Sequence, residues 1–245
     1  MLQKRLIELS KIAYQRDIVT YSDFLNLNEL NILHTTPKQD WYTRYETYGG
    51  YEFSERQMVA FLPDALCYEK SYPICALKIE PLQKKFAEKL SHRDYLGSIL
   101  SLGIDRCKIG DILVEDEYAI LFVHQTLKNF LFEELTRIRH TSIMLSEIDA
   151  DAVSYQPKFK EICGTVSSLR LDSLLSLAFA SSRSKLVSYI ENGKVFVNGK
   201  LITSNGFQIK ENDIVSVRGL GRFQFKESIN QTKKGRYYVK IYLYV

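Results

Sequence analysis

Residues 74–148 alternate short apolar runs with amphipathic segments, and the order of these runs restricts the fold more than any other feature of the sequence. Apolar runs bounded by proline, glycine or acidic turns predict strands, whereas apolar residues spaced three and four apart predict helices. In chain order the sequence predicts a strand over 74–79, a helical region over 82–102 broken near Ser91 and His92, strands over 111–114 and 118–123, a helix over 125–138 and a strand over 141–148. This β-α-β-β-α-β order is the split arrangement of ferredoxin-like folds.

The flanking segments extend this to an α+β chain of three domains. Residues 2–40 are predicted to be helical, and residues 41–62 are predicted to form strands around a turn at Gly49 and Gly50. A polar stretch over residues 149–165 is predicted to connect two domains. The predicted domains are a small helical and β N-terminal domain over 1–71, the ferredoxin-like central domain over 72–150, and a C-terminal domain over 166–245.

The C-terminal stretch changes in character to two short helices followed by a hairpin. A helix over 169–179 precedes a second over 181–192, for which Ser181 is the predicted N-cap and Gly193 the left-handed residue at the end. Asn198-Gly199 between two apolar runs is a strong hairpin signal. Further strands are predicted over 214–217, 223–226 and 237–245.

Charge is distributed unevenly along the chain, whose formal net charge is only +4. Residues 166–245 carry thirteen Lys and Arg against five Asp and Glu, whereas residues 1–165 carry a net negative charge. A basic module on an acidic body is the distribution expected of a protein that approaches a polyanion. A solvated basic surface is the alternative.

Several classes are disfavoured by composition. No run of about 18 apolar residues is present, so no membrane span is predicted. The sequence has scattered cysteines (Cys67, Cys75, Cys107 and Cys163) and dispersed histidines (His34, His92, His124 and His140), which predict free thiols in a cytoplasmic protein without a metal site. Neither a cofactor nor a small-molecule substrate is indicated.

Four segments of the C-terminal region together resemble the S-four-type RNA-binding domain, also called the alpha-L RNA-binding motif. They are Arg170-Leu-Asp172, Ser182-Arg-Ser-Lys185, the run from Gly193 to Lys200, and the run from Asp213 to Arg218. In that family RNA lies across the helix pair and an adjoining hairpin. Phosphate contacts need cations and backbone donors, which gather here at the start of the second helix. The residues predicted to contact RNA are Arg170, Ser182, Arg183, Lys185, Lys194, Asn198, Lys200, Arg218 and Arg222 in this region, and His92 and Arg93 in the central domain.

Segments across the whole chain also resemble the YlmH family of bacterial proteins. These segments are Tyr48-Gly-Gly-Tyr51 with Glu55-Arg56, the run from His92 to Gly97, the run from Leu102 to Arg106, Gly110-Asp-Ile112, and the run from Arg218 to Phe223. The resemblance implies a central RNA-recognition-motif-like domain, association with ribosomal RNA of the large subunit, and a role in the rescue of obstructed subunits that carry peptidyl-tRNA. The third central strand, 118–123, lacks the aromatic signature that stacks bases, so RNA contact by this domain does not follow.

A non-catalytic binder is the favoured interpretation. His92-Arg-Asp94 has the letters of a kinase catalytic loop, but Ile99 stands where that loop needs asparagine. S-four-type domains also occur on RNA-modifying enzymes, so an enzyme with an unrecognised site is one alternative. A cell-division-linked adaptor is another, because the YlmH family has also been associated with division.

Overall fold

The computed structural model describes residues 1–64, 70–83, 88–150, 153, 155, 158–233 and 235–244. The chain divides into two compact units, Met1–Tyr155 and Gln156–Val245. The predicted boundary between residues 71 and 72 lies inside the first unit, and the predicted start of the third domain at residue 166 lies inside the second.

The N-terminal part of the first unit packs two helices on a small antiparallel sheet. Spacing of three and four residues places Leu6, Ser10 and Ala13 on the buried face of the first helix. The second helix begins at a capping box, in which Asn26 and Glu29 satisfy each other's backbone N–H groups. The elements are α1 (Leu2–Arg16), β1 (Thr20–Tyr21), α2 (Leu27–Thr35), β2 (Arg44–Tyr48) and β3 (Met58–Leu62), with sheet order β1-β3-β2.

The central part of the first unit is an antiparallel sheet with helices on one side. Its elements are β4 (Ile74–Pro81), α3 (His92–Ser101), β5 (Ile109–Val114), β6 (Ala119–His124), α4 (Lys128–Glu134), β7 (Arg137–Ile138) and β8 (Thr141–Ile148). The sheet order is β5-β6-β4-β8-β7, so β4 is central and buries Leu77 and Ile79 against the helices. The observed order of elements is the predicted one with the short strand β7 inserted before β8.

Two predicted helices of the central part are too long. The helix predicted over 125–138 is a 3-10 turn followed by α4, and Arg137 and Ile138 instead pair with Ser142 and Thr141. A tight turn with Arg139 in the left-handed region (φ 51°) makes that hairpin. In the region predicted over 82–102, residues 82, 83 and 88–90 are not helical, and residues 84–87 lie outside the described residues.

The two parts of the first unit share a hydrophobic cluster. Phe24, Tyr51 and Met58 from the N-terminal part pack with Ala76 and Phe122 of the central sheet. The rings of Tyr51 and Phe122 stack with centroids 5.0 Å apart. Burial of these side chains joins the parts that the sequence predicted as separate domains.

The second unit packs two helices on one face of a long antiparallel sheet. Its elements are β9 (Phe159–Val166), α5 (Leu171–Ala178), α6 (Arg183–Glu191), β10 (Val195–Val197), β11 (Lys200–Leu201), β12 (Ile214–Val217), β13 (Gly221–Gln231) and β14 (Tyr237–Tyr244), with sheet order β11-β10-β12-β13-β14-β9. Leu174, Leu186 and Ile190 of the helices pack on Val215 and Phe223 of the sheet. We call the sheet face under the helices the inner face and the opposite one the outer face.

Strand β9 corrects the prediction of a connector over residues 149–165. All eight of its residues pair with β14, from Val166 opposite Tyr237 to Phe159 opposite Tyr244. The sequence obscures this strand because it lies at the edge of the sheet, where polar residues such as Lys160 and Glu161 remain exposed.

Cys75, Cys107 and Cys163 are free thiols, whereas Cys67 lies outside the described residues. Burial raises the pKa of the Cys75 thiol to about 11, which keeps it protonated and unreactive near neutral pH. No helix in the described ranges is long and apolar enough to span a bilayer. In those ranges, no group of three or more His, Cys, Asp or Glu side chains is arranged to hold a metal ion.

Candidate RNA interface

A buried carboxylate holds two arginines at the start of the helix pair. Asp172 in the first turn of α5 is only 5% exposed. Nη2 of Arg183 donates to Asp172 Oδ2 at 2.6 Å and to Ser173 Oγ at 3.1 Å, and Nη2 of Arg170 donates to the same Asp172 oxygen at 3.3 Å. The side chains of Arg183 and Arg170 remain 50% and 42% exposed. Asp172 therefore orients two guanidinium groups whose exposed N–H groups can reach a phosphate.

Helix α6 begins one residue later than predicted. Ser182, and not Ser181, has the extended N-cap conformation, and its Oγ lies 3.3 Å from Ser184 Oγ without capping the backbone. Arg183 and Lys185 lie in the first turn, where the positive end of the helix dipole adds to their charge. Ser182 and Lys185 are exposed, so this helix start presents cations and backbone N–H groups to solvent.

An open cavity of about 480 Å³ is found in the central sheet region, but it is lined by acidic Glu115, Asp116 and Glu117. A second, of about 320 Å³, adjoins the Arg183 side chain and is lined by hydroxyl groups and by Arg236. Arg236 Nη2 donates to the Thr165 carbonyl oxygen at 3.0 Å. The sequence analysis missed Arg236, because its place beside α6 depends on the pairing of β9 with β14.

Among the predicted hairpin residues, Asn198 forms structural hydrogen bonds, whereas the charged groups of Lys194 and Lys200 face solvent. Asn198 and Gly199 both have positive φ (49° and 78°), as a two-residue type I′ turn requires. Asn198 Nδ2 donates to Asp213 Oδ1 at 2.8 Å, and Asn198 Oδ1 accepts from Ile214 N at 2.9 Å. Its side chain thus ties the turn to β12. Lys194 and Lys200 are exposed, and Lys194 Nζ lies 5.3 Å from the centroid of the Tyr189 ring.

Arg218 and Arg222 do not join the helix pair. Phe223 is buried in the core on the inner face, so its neighbour Arg222 points to the outer face, because side chains alternate along a strand. The Arg222 guanidinium lies 4.5 Å from the Tyr244 ring centroid, and that of Arg218 lies 5.6 Å from the Phe196 ring centroid. The second unit therefore presents predicted RNA-binding residues on two opposite sides.

His92 and Arg93 belong to the first unit, where they open α3 and are exposed. Although His92 is exposed as a whole residue, partial desolvation of its imidazole ring, and then the nearby Arg106 charge, lower its pKa. Asp94 receives hydrogen bonds from the Ser91 side chain and backbone, which lower its pKa, and forms an ion pair with Arg139 at 2.8 Å. Asp94 thus acts in the cap of this helix.

Several other motif residues of the first unit meet in one hydrogen-bonded cluster. Asp111 accepts from Tyr51 Oη at 3.0 Å, Glu55 N at 2.7 Å and Arg56 N at 3.2 Å. The Arg56 guanidinium donates to the carbonyls of Phe24, Arg106 and Ile109, and that of Arg106 donates to Ile109 and Gly110. Burial lowers the pKa of Arg106 to about 10. The polar groups of these side chains form hydrogen bonds that hold the loops of the first unit together.

Two family models match the chain. Residues 68–152 match a family described as "Putative RNA-binding domain in YlmH", and residues 169–215 match the S4 domain. The second match covers α5, α6, the Asn198 turn and the first two residues of β12. The chain therefore combines a segment that matches the putative RNA-binding domain of YlmH with a C-terminal S4 domain. The sequence resemblance to the YlmH family is confirmed.

Two known proteins are similar over much of the chain. "Ribosome-associated protein quality control protein P2" of Bacillus subtilis (strain 168) is 29% identical over 238 residues, which cover 95% of this chain and 90% of the relative. The solved structure of "Cell division protein ylmH from Streptococcus pneumoniae" matches with a TM-score of 0.50 and 26% identity, covering 60% of this chain and 88% of the other.

Proposed function

We propose that this chain is a non-catalytic, cytoplasmic protein that binds ribosomal RNA of the large subunit through the start of its C-terminal helix pair. The observation that carries this proposal is the pair of half-exposed arginines that buried Asp172 orients beside exposed Lys185, inside a segment that matches the S4 domain. Preorganised guanidinium groups lose little side-chain entropy when they bind phosphate, so they are suited to a folded RNA backbone.

The biological setting that we propose is ribosome-associated quality control, in which the protein holds peptidyl-tRNA on an obstructed large subunit. Support comes from the B. subtilis relative, whose name states ribosome-associated protein quality control and whose similarity spans 95% of this chain. In this setting the second unit binds RNA, and the first unit positions the protein on the ribosomal particle. The sheet order of the first unit fits the ferredoxin-like prediction. Binding, and not bond cleavage, is the work that these residues perform.

The test is co-sedimentation of the full chain with ribosomal particles. We expect Arg183→Ala combined with Lys185→Ala to weaken association at least tenfold and to reduce the salt dependence of binding by about two phosphate contacts. A matched control removes two exposed lysines from α1, Lys4→Ala with Lys11→Ala, which changes net charge equally. Equal losses in both double variants, or none in the first, would remove the helix start from the interface.

A second measurement separates a binder from an RNA-modifying enzyme. The full chain is incubated with large-subunit RNA and a methyl donor, and the RNA is then analysed for methylated nucleosides and for pseudouridine. We expect no new modification. Its appearance would contradict the non-catalytic role and favour the enzyme alternative.

A further inference from the structure

The outer face of the second unit carries a row of aromatic and arginine side chains across five strands. Register pairs Phe196 of β10 with Ser216 of β12, Ser216 with Arg222 of β13, and Tyr244 of β14 with Phe159 of β9. Phe223, which follows Arg222, pairs with Leu243, so Arg222 and Tyr244 are neighbours across β13 and β14. Four steps between strands give the row a width of about 19 Å.

The rings of this outer row are arranged as a platform and remain accessible at one end. Phe159 stacks on Tyr242, with centroids 4.6 Å apart and planes 17° apart, and meets Tyr244 edge-on at 6.4 Å. Phe159 is 49% exposed, a large fraction for an ordered phenylalanine. Single exposed apolar residues are common. Phe159, however, belongs to a group of stacked aromatic rings that has the Arg222 guanidinium beside it.

At the other end of the outer row, buried aromatic surface supports an exposed guanidinium. Phe196 is fully buried although it faces away from the helices, and the exposed Arg218 lies over its ring. Arg222 lies over Tyr244 in the same manner. Contact with a ring restrains the position of each guanidinium group on this face of the sheet.

The charge of the outer row favours a polyanion over an acidic or neutral partner. Arg218 and Arg222 contribute two positive charges within it. The carboxylates next along the same face, Glu161 and Glu227, are both drawn to Lys240, which lies 3.5 Å from Glu227 Oε1. Lys240 offsets one of these two carboxylates, so the three cations and two carboxylates on this face leave a net charge of +1.

We propose that the outer row is a second RNA site, which binds unpaired nucleotides by stacking their bases on Phe159 and the two guanidinium groups. Proteins bind single-stranded RNA by stacking its bases on aromatic rings and arginine guanidinium groups, because every base has a π-face. A width of about 19 Å accommodates two or three bases, as the sheet of an RNA-recognition motif does. The site deepens the proposed function by placing single-stranded RNA opposite the face that takes folded RNA.

The experiment measures fluorescence anisotropy of a labelled ten-nucleotide oligouridine with the full chain. We expect Phe159→Leu, which keeps an apolar side chain but removes the ring, to weaken binding about tenfold. We expect Arg222→Lys, which keeps the charge but removes the plane, to weaken it severalfold. The matched control is Ile229→Ala, because Ile229 is a similarly exposed apolar side chain of β13 outside the row.

Failure of this inference is distinguishable from failure of the proposed function. If wild-type protein does not bind oligouridine, or if Phe159→Leu binds it as well as wild type does, the stacking site is overturned. If Ile229→Ala loses as much affinity as Phe159→Leu, the effect is not stacking and the inference is also overturned. Retention of ribosome co-sedimentation by Phe159→Leu, together with its loss in the Arg183 and Lys185 double variant, is the result expected when both proposals hold.

Discussion

Arg183 and Asp172 lie on different helices, and the 2.6 Å hydrogen bond between the Arg183 guanidinium and the Asp172 carboxylate is the shortest polar link that we find between α5 and α6. The carboxylate is buried, whereas half of the arginine side chain is exposed. One interaction thus stabilises the helix pair and sets the direction of a cation that faces solvent.

Replacement of Asp172 by asparagine separates orientation from net charge. We expect Asp172→Asn to lower the free energy of unfolding by about 1–3 kcal/mol, because a buried hydrogen-bonded charge partner is lost. We also expect weaker ribosome co-sedimentation, although the variant is more basic. Glu191→Gln on exposed α6 surface makes the same charge change and is the control. If both variants bind RNA more tightly, orientation by Asp172 has no role.

Asn198 is expected to act on stability and not on RNA affinity. Asn198→Ala removes the bonds to Asp213 and Ile214 and places alanine at positive φ, so we expect a loss of about 1–2 kcal/mol in urea unfolding. The folded variant should co-sediment with ribosomes as wild type does. A stable variant with lost binding would make Asn198 an RNA contact, as the sequence had suggested.

Two glycines of the first unit are expected to respond to alanine in opposite ways. A Cβ at Gly50 would lie 2.3 Å from the Phe122 ring, and its φ of 102° disfavours any side chain. We expect Gly50→Ala to lower the melting temperature by several degrees. Gly97 lies on α3, where an added Cβ would meet no packing neighbour within 4 Å beyond the helix's own backbone, so Gly97→Ala should stabilise by about 0.5–1 kcal/mol. Equal effects from both changes would contradict this packing.

Asp111 is expected to be a structural requirement of the first unit. Asp111→Asn keeps the shape but removes the charge that faces the partly buried Arg56 and Arg106 guanidinium groups. We expect a loss of about 2–4 kcal/mol, read from urea unfolding. Asp116→Asn in the β5–β6 turn is the control. A change at Asp111 that is no larger than the control would show that the backbone bonds alone hold these loops.

Stability should fall in mild acid partly because of His92. Burial and the Arg106 charge lower its pKa in the folded state, so the unfolded chain takes up a proton first as pH falls below about 6.5. The stabilisation is therefore complete above that pH and is lost as pH falls through the folded pKa. We expect His92→Asn to flatten the pH dependence of unfolding between pH 7 and pH 5.

The remaining slope in the His92→Asn variant should come in part from His124, whose pKa is also lowered, by burial and then by Lys108. His140→Asn, in the exposed β7–β8 turn, provides the control. A pH profile of His92→Asn that matches wild type would contradict the assignment.

The local sequence pattern predicted those elements whose own residues carry a clear signal. The strands over 141–148 and 214–217 are observed at the predicted bounds, and the Asn198 turn is observed where its sequence placed it. Strand β7 was absorbed into a predicted helix because two residues are too short to show a period of two.

The sequence predicted which residues belong to the candidate site, but not how their side chains are arranged in space. Arg183 and Asp172 are eleven residues apart, and nothing local indicates that one bonds the other. Arg222 and Tyr244 meet only because β13 pairs with β14, and Arg236 reaches the helix pair only because β14 pairs with β9. Tertiary pairing decided which cations share a face, and it separated Arg218 and Arg222 from the others.

The pairing of β9 with β14 also bears on when this unit can form during synthesis. Phe159 and Tyr244 are opposite each other, so the sheet closes only after the intervening segment has left the exit tunnel. Closing so long a loop is slow compared with forming a helix. An emerging chain therefore exposes apolar β9 residues such as Ile162 until β14 has left the tunnel and can pair with them.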